Sequence, residues 1–392
     1  MQSTASLAAL DMLSDEERAA LLAHDSLRSL VDVFASIPDP RSCHGRRYDL
    51  PFLLSCLATA FLCGCNSTDA VGQWCRDHRP LLRHLFGPRK HLTPSGSLYR
   101  RLIPRLSADH FEWALASWVL HTRPATDQEP VALDGKTLCG AATGEDRAPH
   151  LLSVSTHQSD ETLLQVRVDA KTNEIPVAQE LLGWLVLTDR VITADAMHTH
   201  ADFAQAVLDQ GGHYLLVVKA NQPLLHTDLV DYFTDPASAW TEATTVDRQH
   251  GRWEERRLRV TSELAAHLAF PGVQQAMEIR RRVRTGGKER EESWYAITDC
   301  RPQQADAPAL LQLIRGHWSI ECRHWKRDVL FGEDKSQIRT KAAPQFLAAL
   351  RNALLTLLRR TGHTAIAAAR RSFSAHPRQA ARLIRRPFPS TR

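Results

Sequence analysis

The hydrophobic positions of this chain change their spacing near residue 125. Upstream of that point, apolar residues recur every three or four positions in short segments, which predicts helices. The linker TRPATDQEP closes this region, and proline within it disfavours continued helix. We therefore predict an N-terminal helical extension over 1–26 and an all-helical domain over 27–122. Its predicted helices are 27–37, 50–65, 67–78, 80–85, 98–106 and 110–121.

Downstream of the linker, short runs rich in β-branched residues predict strands instead. Five such runs and two helical segments between the later ones predict an α/β fold with a mixed, partly parallel sheet. Three further strand-like runs form a β-rich insertion, after which the helical pattern returns. The predicted core strands are 131–138, 150–158, 163–169, 190–196 and 213–220, and those of the insertion are 252–260, 275–283 and 292–299. The predicted parts are 123–222 (first part of the core), 223–300 (insertion), 301–358 (completion of the core) and 359–392 (basic tail).

Composition is that of an ordinary globular protein, with 43% hydrophobic and 24% charged residues among 392. The net charge of +5 is modest, but no acidic residue follows Asp334 while arginines and lysines continue to Arg392. Such a segment can neutralise DNA phosphates, although a solvated basic terminus is the alternative. The eight cysteines do not form the dense pattern of a disulfide scaffold, and the longest apolar run is too short for a membrane span. We therefore expect no membrane association and a reducing, cytoplasmic environment.

Three acidic residues carry the candidate chemistry. Asp134 and Asp195 each follow a strand-like run, so both are expected at the carboxyl edge of the sheet, where ligands of α/β proteins bind. Glu321 shares one predicted helix face with His317 and His324. Carboxylates gathered in this way suit Mg²⁺, and two such ions can assist phosphodiester chemistry. Each aspartate could instead be a turn former or a helix cap.

Two zinc sites are alternatives at the sequence level. One would use His317, Glu321 and His324, and the other Cys63, Cys65, Cys75 and His78. Neither set has the ligand spacing of a common zinc motif. Trp318 and Trp325 form a neighbouring stripe on the helix of Glu321, which we expect to pack in the core.

The segments LDGKT, ADAMHT and GHWSIECRHWKRDVLFGED, in this order, resemble DDE transposases of bacterial insertion sequences. More specifically, they resemble the H-repeat-associated, insertion-sequence AS1-type branch. IPDPR and PSGSLYRRL upstream and VVKANQPLL and HGRWEERR downstream extend the resemblance from about Leu27 to Leu358. It implies a ribonuclease H-like core in which Asp134, Asp195 and Glu321 are catalytic and bind two Mg²⁺ or Mn²⁺ ions.

The resemblance also implies partners and a reaction. A transposase of this type binds the terminal inverted repeats of its element as a homodimer, cleaves DNA as an endonuclease, and joins the freed 3′ hydroxyl to target DNA. We expect this activity in the cytoplasm, in association with the nucleoid. The expected DNA contacts are Lys136, Lys219, Asn221, Gln222, His250, Arg252, Trp253, Arg323, Lys326 and Arg327, with Trp253 either stacking on an unpaired base or packing in a strand core.

Two residues on the glutamate helix depart from the family pattern. Asp328 stands where the family has a lysine, and His317 stands where it has an arginine. We expect Arg315, Arg323, Lys326 or Arg327 to provide phosphate contacts in their place. The alternatives to a transposase are a ribonuclease H-like nuclease without strand transfer and a domesticated DNA-binding regulator. Intact acids argue against the regulator, and the additional domains argue against a plain nuclease.

Overall fold

The first seven helices form an all-helical layer. A computed structural model of the chain describes residues 13–44, 46–86, 93–124, 127–142, 148–168, 174–249 and 251–390. Serines begin five of these helices, because each accepts a hydrogen bond from a backbone N–H in the first turn: Ser14, Ser29, Ser67, Ser95 and Ser107. The helices are α1 (Asp15–Leu22), α2 (Leu30–Ser36), α3 (Leu50–Leu62), α4 (Thr68–Asp77), α5 (Arg79–Phe86), α6 (Gly96–Leu102) and α7 (Ala108–His121).

Helix α3 lies at the centre of this layer. All but one of its residues are buried, which agrees with a sequence that is apolar on every face. Two cysteines of the candidate zinc set donate to backbone carbonyls instead, Cys63 to Phe373 and Cys65 to Ala70. Among the described residues these cysteines are not part of a metal-type cluster.

A nine-stranded mixed sheet follows, which confirms the predicted α/β class and the partly parallel sheet. Its spatial order is β3-β2-β1-β4-β5-β9-β8-β7-β6. The strands β1, β4 and β5 are parallel neighbours, and every other neighbouring pair is antiparallel. The strands are β1 (Val131–Thr137), β2 (His150–Thr156), β3 (Thr162–Val168), β4 (Val191–Ala194), β5 (His213–Val218), β6 (Thr241–Gln249), β7 (Arg252–Thr261), β8 (Gln275–Thr285) and β9 (Lys288–Thr298).

The β-rich insertion is continuous with the core sheet. Strand β9 pairs with β5, so β6 to β9 extend the first five strands. The sequence did not predict β6, whose residues TEATTVDRQ are mostly polar. As the edge strand, β6 alternates between exposed and half-buried residues and needs few apolar side chains.

Each face of the sheet has its own hydrophobic core. On β5, Leu216 packs in the larger core and Leu215 in the smaller one, as alternation along a strand requires. The larger core receives α8 (Glu174–Leu182), α9 (Ala201–Asp209) and α10 (Pro223–Thr234). The smaller core receives the N-terminal half of α11 (Ala307–Trp325), through residues such as Leu310 and Ile314.

The basic C-terminal segment is folded. Helices α12 (Ala343–Arg360), α13 (Ile366–Ala375) and α14 (Pro377–Ile384) follow α11, and α13 and α14 contact α3. Arg370 is buried and donates to the Phe61 carbonyl and to Asn66. The alternative of a solvated terminus is therefore wrong for the described residues, because Phe373, Ala380 and Ile384 are core residues.

A buried carboxylate fixes the segment that follows α11. Glu333 lies 2.8 Å from Arg327 Nη2, 3.1 Å from Lys136 Nζ and 3.4 Å from Arg351 Nη1. Burial alone would raise the pKa of Glu333, but the three cations outweigh it and lower that pKa to about 2. The cluster thus connects β1, the residues after α11, and α12.

Glu333→Gln should lower the free energy of unfolding by about 3–5 kcal/mol, because it leaves buried guanidinium groups without their counter-charge. Urea unfolding measures this against Glu16→Gln, an exposed control. The folded-state pKa is depressed, so the ion-pair stabilisation is complete above about pH 4.3, the ordinary glutamate pKa. It should disappear as the pH falls from there through about 2. If the difference in unfolding free energy between wild type and Glu333→Gln does not decrease over this pH range, Glu333 does not stabilise the fold through these ion pairs.

Candidate active site

The two aspartates lie side by side where the pairing of β1 with β4 ends. Asp195 directly follows β4, as expected, but Asp134 lies within β1, which continues to Thr137 because its backbone remains paired with β2. The parallel register pairs Leu133 of β1 with Ala194 of β4, and each aspartate is the next residue along its strand. Neighbouring strands are about 4.8 Å apart, so the register places the backbones of Asp134 and Asp195 at adjacent positions. Asp195 also caps the short 3₁₀ turn Ala196–His198, with its Oδ1 accepting from the Ala196 N–H at 2.8 Å.

The surroundings of these carboxylates separate their pKa values. Burial, together with the charge of Asp195, raises the pKa of Asp134 to about 6. Burial also acts to raise the pKa of Asp195, but the Ala196 N–H and Lys219 outweigh it and keep that pKa below its ordinary value. Lys219 Nζ lies 3.3 Å from Asp195 Oδ1.

One oxygen of Asp134 is left without a hydrogen bond. Its Oδ2 is buried and unsatisfied, although His324 Nε2 lies 3.2 Å away at an angle that does not make a hydrogen bond. An unsatisfied buried oxygen is costly in a protein interior. It is a feature that a bound cation would explain.

Helix α11 brings Glu321 to the same edge. His317 Nδ1 lies 3.1 Å from Thr193 Oγ1 on β4, and His324 approaches Asp134 on β1. Glu321 is four residues after the first histidine and three before the second, so it shares their helix face. Its side chain is exposed. Among the described residues, the carboxylate oxygens of the three acids do not all lie within 4.8 Å of one another. Repulsion between like charges favours this separation.

Gly316 permits the close approach of α11 to the sheet. A Cβ at this position would lie 2.1 Å from His157 Nδ1. His157 Nε2 in turn lies 2.9 Å from Thr193 Oγ1, so that hydroxyl contacts both His157 and His317. Burial lowers the pKa of each of these two histidines to about 4, which keeps both neutral near pH 7. The helix therefore docks through neutral hydrogen-bonding groups. The alternative zinc set on α11 is not brought together as a cluster among the described residues.

A second group beside Asp134 was not predicted from the sequence. Glu174 at the start of α8 lies 2.8 Å from His150 Nε2 and 3.4 Å from His198 Nε2. The two histidines lower the pKa of Glu174 to about 2. His198 belongs to the ADAMHT segment, but no pattern in the sequence points to His150 or Glu174. His150 lies so close to Gly135, the neighbour of Asp134, that a Cβ at this glycine would lie 2.6 Å from His150 Nε2. His150 and Glu174 therefore pack directly beside Asp134.

Four of the expected DNA contacts, which lie on β1, on α11 and directly after α11, have partners within the chain. Lys136 pairs with Asp328 and Glu333, and only 10% of its side chain is exposed. This pairing gives Asp328 a structural role on the glutamate helix. Arg323 and Lys326 both pair with Asp160, and Arg327 is buried against Glu333.

The residues after β5 support the loop that begins at Asp195. Asn221 donates to the Ala196 carbonyl at 2.7 Å, and Gln222 donates to the Thr199 carbonyl at 2.8 Å. Lys219 is half-exposed and can reach both Asp195 and a ligand.

The insertion places Arg252 and Trp253 near the tips of its hairpins, and His250 lies outside the described residues. The guanidinium of Arg284 lies 4.7 Å from the centre of the Trp253 ring, and Arg252 pairs with Glu254. An open cleft of about 480 Å³ is lined by Trp253, Arg248, Arg252 and Arg284. The tips of the insertion are therefore basic, and one face of Trp253 is already occupied.

On α11, the two tryptophans differ. Trp318 packs on Trp294 with ring centres 4.9 Å apart, as expected for a core residue. Trp325 is 55% exposed, so the expectation that it packs in the core is wrong. The reason is that α11 continues past the sheet edge at its C-terminal end.

The candidate site thus consists of two aspartates on neighbouring strands beneath a helix that carries a glutamate. The chain belongs to the Transposase DDE domain family, whose model matches residues 128–357, and a DDE_Tnp_1-associated model matches residues 31–119. This shows the predicted transposase resemblance, including its H-repeat-associated character, to be correct.

Two relatives from Escherichia coli illustrate the similarity. The chain is 29% identical over 350 residues to YncI of strain O157:H7, provisionally named a transposase, covering 85% of this chain and 88% of that protein. It is 26% identical over 347 residues to YhhI of strain K12, provisionally named an H repeat-associated transposase, covering 85% and 90%. The piggyBac transposase synaptic complex with hairpin DNA covers 97% of this chain and 80% of its own at 10% identity, but its TM-score of 0.44 does not establish a shared fold. No helix of the described chain has the length and hydropathy needed to cross a membrane.

Gly316→Ala should destabilise the protein by about 1–3 kcal/mol, because the added methyl group overlaps the His157 ring. The obstructing atom belongs to a side chain, so His157→Ala should recover part of the loss in the double variant. Urea unfolding of the four proteins gives the coupling energy, with Gln312→Ala, exposed on the same helix, as the control. Strict additivity of the two substitutions would show that α11 does not dock through this contact.

Proposed function

We propose that this protein is a DNA transposase that uses Asp134, Asp195 and Glu321 for metal-dependent cleavage and strand transfer at the ends of its element. One observation carries the proposal: adjacent parallel strands present two aspartates, and α11 lies across them with Glu321 between two histidines that contact those strands. The strand order β3-β2-β1-β4-β5 and the position of α11 support a ribonuclease H-like core.

The donor set fits Mg²⁺ or Mn²⁺. All three residues offer carboxylate oxygens, which these cations prefer, and Asp134 has a buried oxygen free of hydrogen bonds. Asp134 and Asp195 would share or flank the cations, and Glu321 would bind from the helix. Bound in this way, two ions would supply Lewis acidity to the attacking and leaving oxygens of a phosphodiester. Lys219 would hold Asp195 in place and contact the nearby phosphate, while Asn221 and Gln222 brace the loop.

The proposed DNA surface lies outside the acids and has two basic parts. One consists of the hairpin tips of the insertion, with Arg248, Arg252 and Arg284. The other consists of exposed arginines on the C-terminal helices, namely Arg371, Arg378, Arg382, Arg385 and Arg386. Lys136, Arg323, Lys326 and Arg327 are not included, since each is ion-paired inside the chain with at most 16% of its side chain exposed. Arg252 and Arg284 are also paired, but 44% and 54% of their side chains are exposed.

Exposed apolar side chains flank the acids. Met197 is 49% exposed two residues after Asp195, and Trp325 is 55% exposed one turn after Glu321. Exposed aromatic groups can stack on unpaired bases. This arrangement supports DNA as the substrate. The proposed active form is a homodimer on paired terminal repeats, acting on chromosomal DNA in the cytoplasm.

Asp134→Asn, Asp195→Asn and Glu321→Gln should each reduce cleavage of end-bearing DNA by about 10² or more, because positioned charge at the reacting phosphate is lost. Specific binding to the same DNA should change little, since the proposed contacts lie elsewhere. Cleavage with Mg²⁺ or Mn²⁺ and a gel-shift titration measure the two properties. Asp202→Asn, an exposed aspartate on α9, is the matched control and should behave as wild type.

The same assay separates the alternatives. A nuclease without strand transfer would cleave but give no joined product with target DNA, and a DNA-binding regulator would give neither product. Near wild-type cleavage by Glu321→Gln would remove that residue from the site.

Replacing Arg371, Arg378 and Arg382 together by glutamine should weaken DNA binding and flatten its salt dependence. Each lost phosphate contact lowers the slope of log K against log salt by about 0.9. Substitution is a cleaner test than truncation, because α13 and α14 also cover the core. Gln379→Ala on α14 is the control, and a thermal melt verifies folding. An unchanged slope would place the DNA on another surface.

A further inference from the structure

A second cluster of metal-ligand side chains lies at the opposite end of β5 from the acids. His213 begins β5, and Asp299 and Cys300 directly follow β9. Strand β5 runs toward the acidic edge, so its first residue lies roughly 16 Å away from its last along the strand. The cluster is therefore separate from the proposed catalytic site.

The sheet register brings these side chains together. Strands β5 and β9 are antiparallel with Leu215 opposite Thr298, so continuation of the register by two residues sets His213 opposite Cys300. His213 Nδ1 lies 2.6 Å from Asp299 Oδ2. One donor atom from each of the three residues lies within 4.8 Å of the other two. Because the residues lie on neighbouring, hydrogen-bonded strands, their backbone positions are fixed before any ligand binds.

The donor chemistry favours zinc over the cations of the acidic site. A thiolate and an imidazole are nitrogen and sulfur ligands that Zn²⁺ accepts, whereas Mg²⁺ prefers oxygen. One thiolate and one carboxylate together neutralise a divalent cation. Zinc bonds of about 2.0–2.3 Å place the ligand atoms of a tetrahedral site roughly 3 to 4 Å apart. The donor atoms of this cluster would have to move on the order of one ångström to reach that geometry.

The cluster also has access and room for a fourth ligand. Asp299 and Cys300 are buried, but His213 lines an open cleft of about 760 Å³ together with Asp299 and Gln304. Gln304 Nε2 lies 3.4 Å from His213 Nε2, the ring nitrogen that faces away from Asp299. Water from the cleft can complete the tetrahedron.

We propose that His213, Asp299 and Cys300 form a zinc site that fixes the connection from β9 to α11. The connection starts at Asp299 and reaches α11 at Ala307, and α11 carries Glu321 at its far end. A cation held here would tie the end of β9 to the start of β5 and so stabilise the base of that helix. The site would be structural, and it does not depend on the proposed transposase activity.

The test is a Co²⁺ titration of the full chain after treatment with chelator and reductant, followed by zinc analysis of the protein purified without chelator. Wild type should give the visible bands of tetrahedral Co²⁺ together with a thiolate charge-transfer band that saturates at about one ion per chain. Cys300→Ala should lose the charge-transfer band. His213→Gln and Asp299→Asn should lower the affinity for the ion at least tenfold, and circular dichroism establishes that each variant folds.

Two controls separate this site from other binding. Cys322→Ser removes an exposed thiol on α11, and Asp134→Asn alters the acidic site, and both should retain the spectrum. A charge-transfer band that survives in Cys300→Ala would overturn the proposal. So would wild-type protein that shows no thiolate band, since His213 and Asp299 would then form only a hydrogen bond at the strand end.

Discussion

The site depends on the docking of α11 across β1 and β4, where their pairing ends at Leu133 and Ala194. That docking requires the helix to approach the sheet closely at Gly316, where His157 leaves no room for a side chain. It is stabilised by Thr193, whose hydroxyl lies within hydrogen-bond distance of His157 and His317. Two acids come from the sheet and one from the helix, so a displacement of α11 by even one ångström changes the geometry of all three.

The chain secures this helix at several points along its length. The N-terminal half is embedded in the smaller core, the middle is held at Gly316 and His317, and the residues beyond it are fixed by the buried Glu333. Lys136 connects that last cluster to β1, beside Asp134. The charged residues of the glutamate helix that resemble phosphate contacts in the sequence thus serve to hold the helix in position. Exposed arginines elsewhere on the surface are better placed to meet DNA.

Asp134 and Asp195 show how the same side chain acquires different properties from its surroundings. They are neighbours on β1 and directly after β4, but the first is buried with an unsatisfied oxygen and a pKa near 6, while the second accepts a backbone N–H and faces Lys219. The two neighbouring carboxylates repel each other when both are ionised, and added positive charge would relieve this repulsion. Such repulsion is expected between carboxylates that share a cation.

The sequence by itself predicted most of the helices and strands and pointed to the three acids. β-branched runs before Asp134 and Asp195 predicted both strands and the proximity of the two acids, because parallel strands end on the same side of a sheet, although β1 continues past Asp134 to Thr137. The helical spacing of His317, Glu321 and His324 likewise predicted a shared face. Only the tertiary structure decided that Lys136 pairs with Asp328, that Glu174 lies between two histidines near Asp134, that β6 extends the sheet, and that the basic C-terminal segment packs on α3. The physical reason is that local periodicity reflects contacts within one element, whereas ion pairs and edge strands depend on residues far apart in the chain.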